Sequence, residues 1–285
     1  MLLCILFLPY YTYCTYFYTD SISMPFVILS IYLFICGYDS KKILNKIILF
    51  FFSGISCAIG FELKGSVIIA LIAVIVYMIY KGGIKKILLG SGTIIAGFLV
   101  IAIAFNGLVS SLQITDEETL YREQYPLTHW VMMGLKDDGN FDQADSTFTY
   151  RAGNYDEKKA ANIQEIGNRI SNYGVFGLIN HFIIKANFTW SDGTYWISHH
   201  IYNPYNGRNF LHEFFLMDGN WFPIFKSISS GMQLCMLIMI CVSLFSCVKK
   251  PRFDYITLMH IITFGVYLFF LSLIHISEPT RPEPI

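Results

Sequence analysis

Long apolar runs separated by short basic turns dominate this sequence and restrict it to a membrane environment. The runs lie at residues 1–18, 22–38, 47–61, 65–80, 87–106, 229–248 and from about residue 255 onward. A helix needs about 20 apolar residues to span a bilayer, with some latitude for tilt. Because 54% of the residues are hydrophobic and only 14% are charged, an ordinary soluble domain is excluded. The pattern predicts a mainly α, polytopic membrane protein, with about five spans in residues 1–106 and two more in residues 229–270.

The charges in the connecting turns predict which side of the membrane each turn faces. Nine basic residues and one acidic residue lie in three short turns, at residues 39–46, 81–86 and 249–252. By the positive-inside rule these turns are cytoplasmic. Alternation places residues 18–20, residues 60–66 and the block of residues 107–230 outside, and that block carries 14 acidic and 9 basic residues. The sequence predicts a multi-pass protein of the cell membrane with an extracytoplasmic domain at residues 107–230.

The block of residues 107–230 is expected to fold, because it mixes aromatic residues with turn residues and has no low-complexity run. We expect a mixed domain that packs against the outer membrane surface. Within it, residues 154–174 are typical of a capped amphipathic helix that stops at Gly174. The apolar stripe of this helix consists of three isoleucines, Ile163, Ile166 and Ile170. The next run, residues 175–190, is apolar on most sides and ends at a tryptophan, which predicts a helix lying in the membrane interface.

Motifs for nucleotide binding and for hydrolytic catalysis are absent from the sequence, which has no phosphate loop, dinucleotide fingerprint, HExxH or GxSxG. His199, His200 and His212 match no strong zinc motif, so we predict loop histidines and no metal site. No cofactor is indicated, and a requirement for a divalent metal is left open. The net charge is zero, so no nucleic-acid partner is predicted. All seven cysteines lie in apolar runs, which indicates buried thiols rather than disulfides.

Charges at the outer ends of the spans are the first candidates for chemistry. Asp20 ends the aromatic string YYTYCTYFYTD, and Glu62 and Lys64 lie in the turn GFELKGS between two apolar runs. A charge at such a depth costs free energy unless it is paired or hydrated, so it is a candidate functional residue. A purely structural interpretation is also open: Lys64 extends to the interface, Glu62 pairs with it, and Asp20 caps the helix that begins at Ser21 or Ser23.

A second candidate region joins an aromatic segment to a cluster of carboxylates. PLTHWVMMGL contains His129 and Trp130, and KDDGNFD follows it directly. This juxtaposition fits a sugar-binding aromatic surface with acids nearby, or a seam between the domain and the membrane. Both interpretations stay open.

The end of the chain carries a different signal. LSLIHISEPTR, at residues 271–281, resembles the translation of a transposase adapter used in making sequencing libraries. We therefore expect residues 271–285 to be a non-native tail and the natural protein to extend beyond this fragment at both ends.

Taken together, these strings resemble bacterial membrane glycosyltransferases of the GT-C fold, relatives of the protein O-mannosyltransferases. The resemblance rests on YTD at residues 18–20, GFELKGS, PLTHWVMMGL followed by DDGNFD, and FTWSDGTYW. It implies transfer of a sugar from a polyprenyl-phosphate donor to an extracytoplasmic acceptor, a cell-surface polysaccharide or a teichoic acid. In that family the acid usually assigned as catalytic base lies in the first outer loop, which we expect to precede Met1.

The resemblance also implies roles for the candidate residues. Asp20 would position the acceptor as the catalytic acid residue, Glu62 would support it, and Lys64 would bind the lipid phosphate. His129 and Trp130 would contact substrate. The alternatives are a polysaccharide polymerase or ligase with a large outer loop, a transporter of a cell-surface polymer, and a non-catalytic partner in surface assembly. A transporter should show charges or broken helices near the middle of the membrane.

Overall fold

A computed structural model describes residue 11, residues 19–81, 83–112, 116–195, residue 197, and residues 207–249 and 254–272. All regular secondary structure in these residues is helical, which confirms the prediction of a mainly α protein. The helices are α1 Thr19–Asp39, α2 Ile43–Leu63, α3 Ile68–Lys81, α4 Ile84–Leu112, α5 Glu117–Glu123, α6 Leu127–Gly134, α7 Gln143–Arg151, α8 Tyr155–Ser191, α9 Phe210–Phe215, α10 Phe222–Lys249 and α11 Asp254–Ser272. A short 3-10 helix, Gly65–Val67, joins α2 to α3.

Within the described residues, four helices are long and apolar enough to cross a membrane. They are Ser21–Asp39, Ile43–Leu63, Ile87–Leu112 and Phe222–Phe245. Two shorter apolar helices, Gly65–Lys81 and Tyr255–Leu268, match the other predicted runs. The first predicted run lies outside the described residues apart from Tyr11. The polytopic architecture is therefore confirmed for the part of the chain that the structure describes.

The chain divides into two compact units. The first unit contains Met1–Leu108 and Asp192–Gly265, and the second contains Val109–Ser191 and Val266–Ile285. A compact unit is not the same as one side of a membrane, so the predicted domain bounds of 1–106, 107–230 and 229–270 stay predictions. The predicted tail, residues 271–285, lies outside the described residues except for its first two positions.

In the first unit, α1 and α2 pack as an antiparallel pair joined by serine hydroxyl groups. Ser30 Oγ donates to the carbonyl of Ser53 at 2.9 Å, and Ser53 Oγ donates to the carbonyl of Ser30 at 2.8 Å. Ser56 Oγ donates to the carbonyl of Phe26 at 2.9 Å. Small polar side chains that bond to a neighbouring backbone are characteristic of helix pairs in lipid, where apolar burial alone provides little driving force.

Glycines bring α2 and α4 into backbone contact in the same unit. A Cβ at Gly54 would lie 2.0 Å from the carbonyl oxygen of Ile94, and a Cβ at Gly97 would lie 2.1 Å from the carbonyl oxygen of Phe51. Only glycine permits this approach. An apolar cluster that includes Phe34, Phe50, Val74, Tyr77 and Ile94 fills the remaining space between the helices of this unit.

In the second unit, α8 follows the predicted helix closely at its ends. Asn154 Oδ1 accepts from the N–H groups of Asp156 and Glu157, both at 3.1 Å, and Glu157 Oε2 accepts from the N–H of Asn154 at 2.8 Å. This reciprocal cap begins the helix as predicted. Gly174 has φ 58 and ψ −176, which interrupts the helical geometry at the predicted stop. A second helical segment then continues to Ser191.

The buried face of α8 is not the isoleucine stripe. Ile163 and Ile170 are 52% and 44% exposed, whereas Lys158 and Asn162 are fully buried. The polar face is buried because its side chains find hydrogen-bonding partners in the same unit. The predicted isoleucine stripe therefore lies largely on the exposed side of this helix.

Candidate functional site

The turn between α2 and α3 places a lysine where two apolar helices meet. Helix α2 ends at Leu63, and Lys64 adopts extended geometry with φ −153 and ψ 120. The N–H of Lys64 donates to the carbonyl of Gly60 at 2.9 Å, and its carbonyl accepts from the N–H of Val67 at 3.1 Å. The backbone of Lys64 thus closes one helix and opens the next turn, which fixes the base of its side chain at the shared end of the two helices.

Glu62 and Lys64 are both half-buried, yet they do not pair with each other. Among the described residues, no ion pair joins their side chains. The structure therefore does not show the pairing of Glu62 with Lys64 that the structural interpretation expects.

The register of α1 against α2 brings the start of α1 to this same end. Ser56 bonds to Phe26 and Ser53 bonds to Ser30, so the two helices are antiparallel. Moving toward the start of α1 means moving toward the end of α2. Continued to the helix ends, this register puts the first turn of α1, which contains Asp20, opposite the last turn of α2. The side chain of Asp20 lies outside the described part of the structure, so only its backbone position is known.

His129, in α6 of the second unit, is a buried histidine held by a hydrogen-bonded chain. It is 1% exposed, and its Nδ1 lies 2.7 Å from Thr149 Oγ1. Thr149 Oγ1 donates to Asn162 Oδ1 at 2.9 Å. The hydroxyl of Thr149 donates its proton to Asn162, so it can only accept a hydrogen bond from His129. The imidazole ring therefore carries its proton on Nδ1. Among the described residues, no group forms a hydrogen bond with Nε2 of this ring.

Burial keeps His129 neutral. Loss of solvation lowers the pKa of His129 to about 4, against a raising effect from Asp145 and a further lowering effect from Lys158. At neutral pH its Nε2 is an unprotonated base. The rings of Tyr125 and Trp130 lie 4.6 and 4.7 Å from the imidazole, and Trp130 is half-buried. These rings form an aromatic enclosure around the base.

The carboxylates after α6 are committed to the structure of the second unit. Asp145 is 4% exposed and accepts two hydrogen bonds from Arg169, at 2.7 and 2.8 Å. Asp142 pairs with Lys136 at 2.8 Å and caps α7 by accepting from the N–H of Asp145 at 2.8 Å. Lys136 lowers the pKa of Asp142, and Asp145 raises the pKa of Arg169. These carboxylates are occupied by protein partners.

Two further cations are buried in this unit. Lys158 is fully buried; its Nζ donates to the carbonyl of Arg122 and lies 5.1 and 5.5 Å from the rings of Tyr125 and Tyr150. Lys185 is also fully buried, and its Nζ donates to the carbonyl of Gly134 at 2.8 Å. Burial lowers the pKa of both amines, that of Lys185 to about 8.

Sequence reasoning missed this polar network, although a signal was present. The residues of α8 that face the rest of the unit recur at helical spacing, and they are Lys158, Asn162, Glu165 and Arg169. Polar residues spaced in this way are usually assigned to a solvated face. In a chain rich in apolar surface, the same spacing indicates a buried polar face.

A metal centre is not found in the part of the chain that the structure describes, where no group of three or more His, Cys, Asp or Glu residues could hold an ion. His212 serves as a helix cap instead, since its Nδ1 accepts from the N–H of Asn209 at 3.0 Å. His199 and His200 lie outside the described residues.

Comparison with known proteins identifies the family. A family model described as "conserved hypothetical integral membrane protein" matches residues 1–274. The match covers almost the whole chain, so the chain belongs to this family and is an integral membrane protein. No curated protein and no solved structure matches the chain.

Proposed function

We propose that this integral membrane protein is a glycosyltransferase of the GT-C type, which transfers a sugar from a polyprenyl-phosphate donor to an extracytoplasmic acceptor. The acceptor would be a cell-surface polysaccharide or a teichoic acid. The observation that carries the proposal is the position of Lys64, a half-buried cation at the shared end of two apolar helices. A lipid phosphate lies at this level of a bilayer.

The chemistry of such a transfer fits the charges in this turn. As the sugar leaves, negative charge develops on the lipid phosphate, and a fixed cation stabilises it most where water is partly excluded. Lys64 has that role. Asp20, in the first turn of α1, positions the acceptor hydroxyl or accepts its proton, and Glu62 supports it from the turn of Lys64.

His129 and Trp130 have a substrate-binding role in this proposal. His129 supplies a neutral ring with an unprotonated Nε2, and Trp130 supplies an aromatic face beside it. Aromatic faces and hydrogen-bonding groups together are suited to sugars. The proposal places residues 107–230 outside the cytoplasm.

A transporter of a cell-surface polymer is the second candidate, and one observation favours it. His260 lies in the apolar helix Tyr255–Leu268, with Nε2 2.9 Å from Ser243 Oγ and with Nδ1 buried and unpartnered. An ionisable side chain between apolar helices is a feature of transport pathways. His260 is a single ionisable residue, and the transporter proposal gives no role to Glu62 and Lys64. The transferase proposal gives both of these residues a role.

A transfer assay on the complete protein in liposomes tests the proposal. Wild type is expected to move sugar from a radiolabelled polyprenyl-phosphate donor to a glycan acceptor, and Lys64→Ala is expected to lower kcat by about 100-fold or more. Lys64→Arg should retain part of the rate. Lys41→Ala, which removes an exposed cation from another turn, is the matched control and should leave the rate unchanged.

Two results would contradict the proposal. Full transfer by Lys64→Ala would remove Lys64 from the donor site. Absence of transfer together with polymer flux into the liposomes, lost in His260→Ala, would replace the transferase with the transporter.

A further inference from the structure

The second segment of α8, residues 175–191, has its polarity reversed relative to a helix on a water-soluble protein. Its exposed side is mainly apolar: Phe176 is 87% exposed, Ile179 52% and Ile183 63%, and Asn180 and Asn187 are exposed polar residues beside them. These positions are separated by three and four residues, so they share one face of the helix. On the opposite face His181 and Lys185 are buried, at 2% and 0% exposure.

Buried polar contacts fix which face points outward. His181 lies 3.0 Å from the carbonyl of Asp137 through Nδ1 and 3.1 Å from that of Gly134 through Nε2. Lys185 donates to the same Gly134 carbonyl and passes beneath Gly139, where a Cβ would lie 2.6 Å from its Cε. Rotating the helix to bury its isoleucines would leave these groups unbonded, at a large cost in free energy. The apolar face is therefore held outward by the protein itself.

The end of this segment makes an aromatic contact within the second unit. The rings of Trp190 and Tyr267 are 4.4 Å apart, and Tyr267 belongs to the apolar helix Tyr255–Leu268. Tryptophan and tyrosine concentrate at the level of lipid headgroups. The aromatic end of residues 175–191 therefore suits the level of the lipid headgroups.

We propose that residues 175–191 form an interfacial helix that inserts the face of Phe176, Ile179 and Ile183 into the acyl boundary of the bilayer. The occupant of this face is lipid, and the helix holds the second unit against the membrane. This inference depends on membership of the membrane protein family and does not depend on the transferase activity.

Insertion of this helix is driven by apolar burial rather than by charge. The segment contains one lysine, one histidine and no acidic residue, and both of its basic side chains are buried. Most interfacial helices add exposed cations that attract anionic lipid. Residues 175–191 have no exposed basic side chain, so the insertion of this helix should be insensitive to anionic lipid and to salt.

Spin labels measure the depth of the helix directly. Single cysteines at Phe176, Ile179 and Ile183 are labelled in full-length protein whose native cysteines are replaced, and the protein is reconstituted in phosphatidylcholine. Collision with oxygen, which concentrates in lipid, is expected to exceed collision with a water-soluble nickel chelate several-fold at all three sites. Labels at the exposed positions Lys159 and Gln164, in the first segment of α8, should show the opposite preference.

A second measurement covers the case in which cysteine replacement impairs folding. Photoactivated crosslinking from lipid acyl chains to the wild-type chain should map to residues 175–191, with equal yield when phosphatidylglycerol or salt is added. Water-like collision rates at Phe176, Ile179 and Ile183 would overturn the proposal. Shielding of the three labels from both collision partners, without lipid crosslinks, would also overturn it, because a protein surface would then cover the face.

Discussion

The two units of the molecule differ in the side chains that dominate their buried parts. The first unit packs α1, α2 and α3 through aromatic and aliphatic residues, with serine hydroxyl groups bonded to backbone carbonyls. The second unit encloses charged and polar residues and exposes its isoleucines. Its buried polar set comprises His129, Asp145, Thr149, Lys158, Asn162, His181 and Lys185.

The difference reflects two ways of assembling helices. The first unit uses close backbone approach, which works because glycine and serine let helices touch. The second unit uses specific hydrogen bonds and one buried ion pair, which fix a single arrangement only if every partner is present. The first unit should therefore be sensitive to added volume, and the second to any unpaired polar group.

The largest effect is expected from breaking the buried ion pair of the second unit. Asp145→Leu leaves the guanidinium of Arg169 without its main partner and should lower the free energy of unfolding by about 3–5 kcal/mol, measured by chemical denaturation in detergent micelles. The double variant Asp145→Leu/Arg169→Met should recover most of the loss. Arg208→Met, which breaks the exposed pair with Asp218, is the control and should change little. Equal losses in the single and double variants would contradict this account of the pair.

The next largest effect is expected on the pH dependence of stability, through the buried His129 of the second unit. The pKa of His129 is about 4 in the folded state against an ordinary value of 6.5, so the unfolded chain takes up the proton first as the pH falls. The contribution of His129 to the free energy of unfolding is therefore fully present above pH 6.5. It decreases by about 3 kcal/mol as the pH falls toward 4.

The matched variant is His129→Gln, which removes the titrating ring. The pH dependence between 7 and 4 should be shallower in this variant than in wild type by that amount. Identical slopes in the two proteins would show that His129 is not held neutral by burial.

Added volume tests the first unit. Gly54→Ala places a methyl group against the carbonyl of Ile94 and should lower the free energy of unfolding by about 1–3 kcal/mol. Gly92→Ala, in α4 with no atom within 4 Å of its Cβ position, is the matched control and should be neutral or slightly stabilising because alanine favours helix. If the two variants had equal stability in thermal denaturation, α2 and α4 would not be in backbone contact.

Much of the fold was predictable because membrane helices are encoded by local composition. Run length alone located the described spans, although α10 begins at Phe222, seven residues before the predicted start at residue 229. Pro223 fits there because a first helical turn has no bond for its missing N–H. The cap at Asn154 and the break at Gly174 were also predictable, because each depends only on residues that are neighbours in the sequence.

The packing of the second unit was not predictable from local pattern. Asp145 and Arg169 are 24 residues apart, and nothing near either residue indicates its partner. The exposure of the isoleucine stripe of α8 was not predictable, because helical periodicity identifies two faces without saying which one is buried. For the candidate site, the sequence singled out His129 and Lys64 as candidates, and these stay predictions. It did not predict the hydrogen bonds through Thr149 and Asn162 that place the proton on His129.

The proposed function depends on the predicted topology, in which residues 60–66 and residues 107–230 each lie outside the cytoplasm. Single cysteines at Gly65, where no atom lies within 4 Å of the Cβ position, and at the exposed Lys159 and Lys41 test it in intact cells with a membrane-impermeant maleimide. We predict that Gly65→Cys and Lys159→Cys react without permeabilisation and that Lys41→Cys reacts only after it. Labelling of Gly65→Cys and Lys159→Cys from opposite sides, or of Lys41→Cys from outside, would contradict the account.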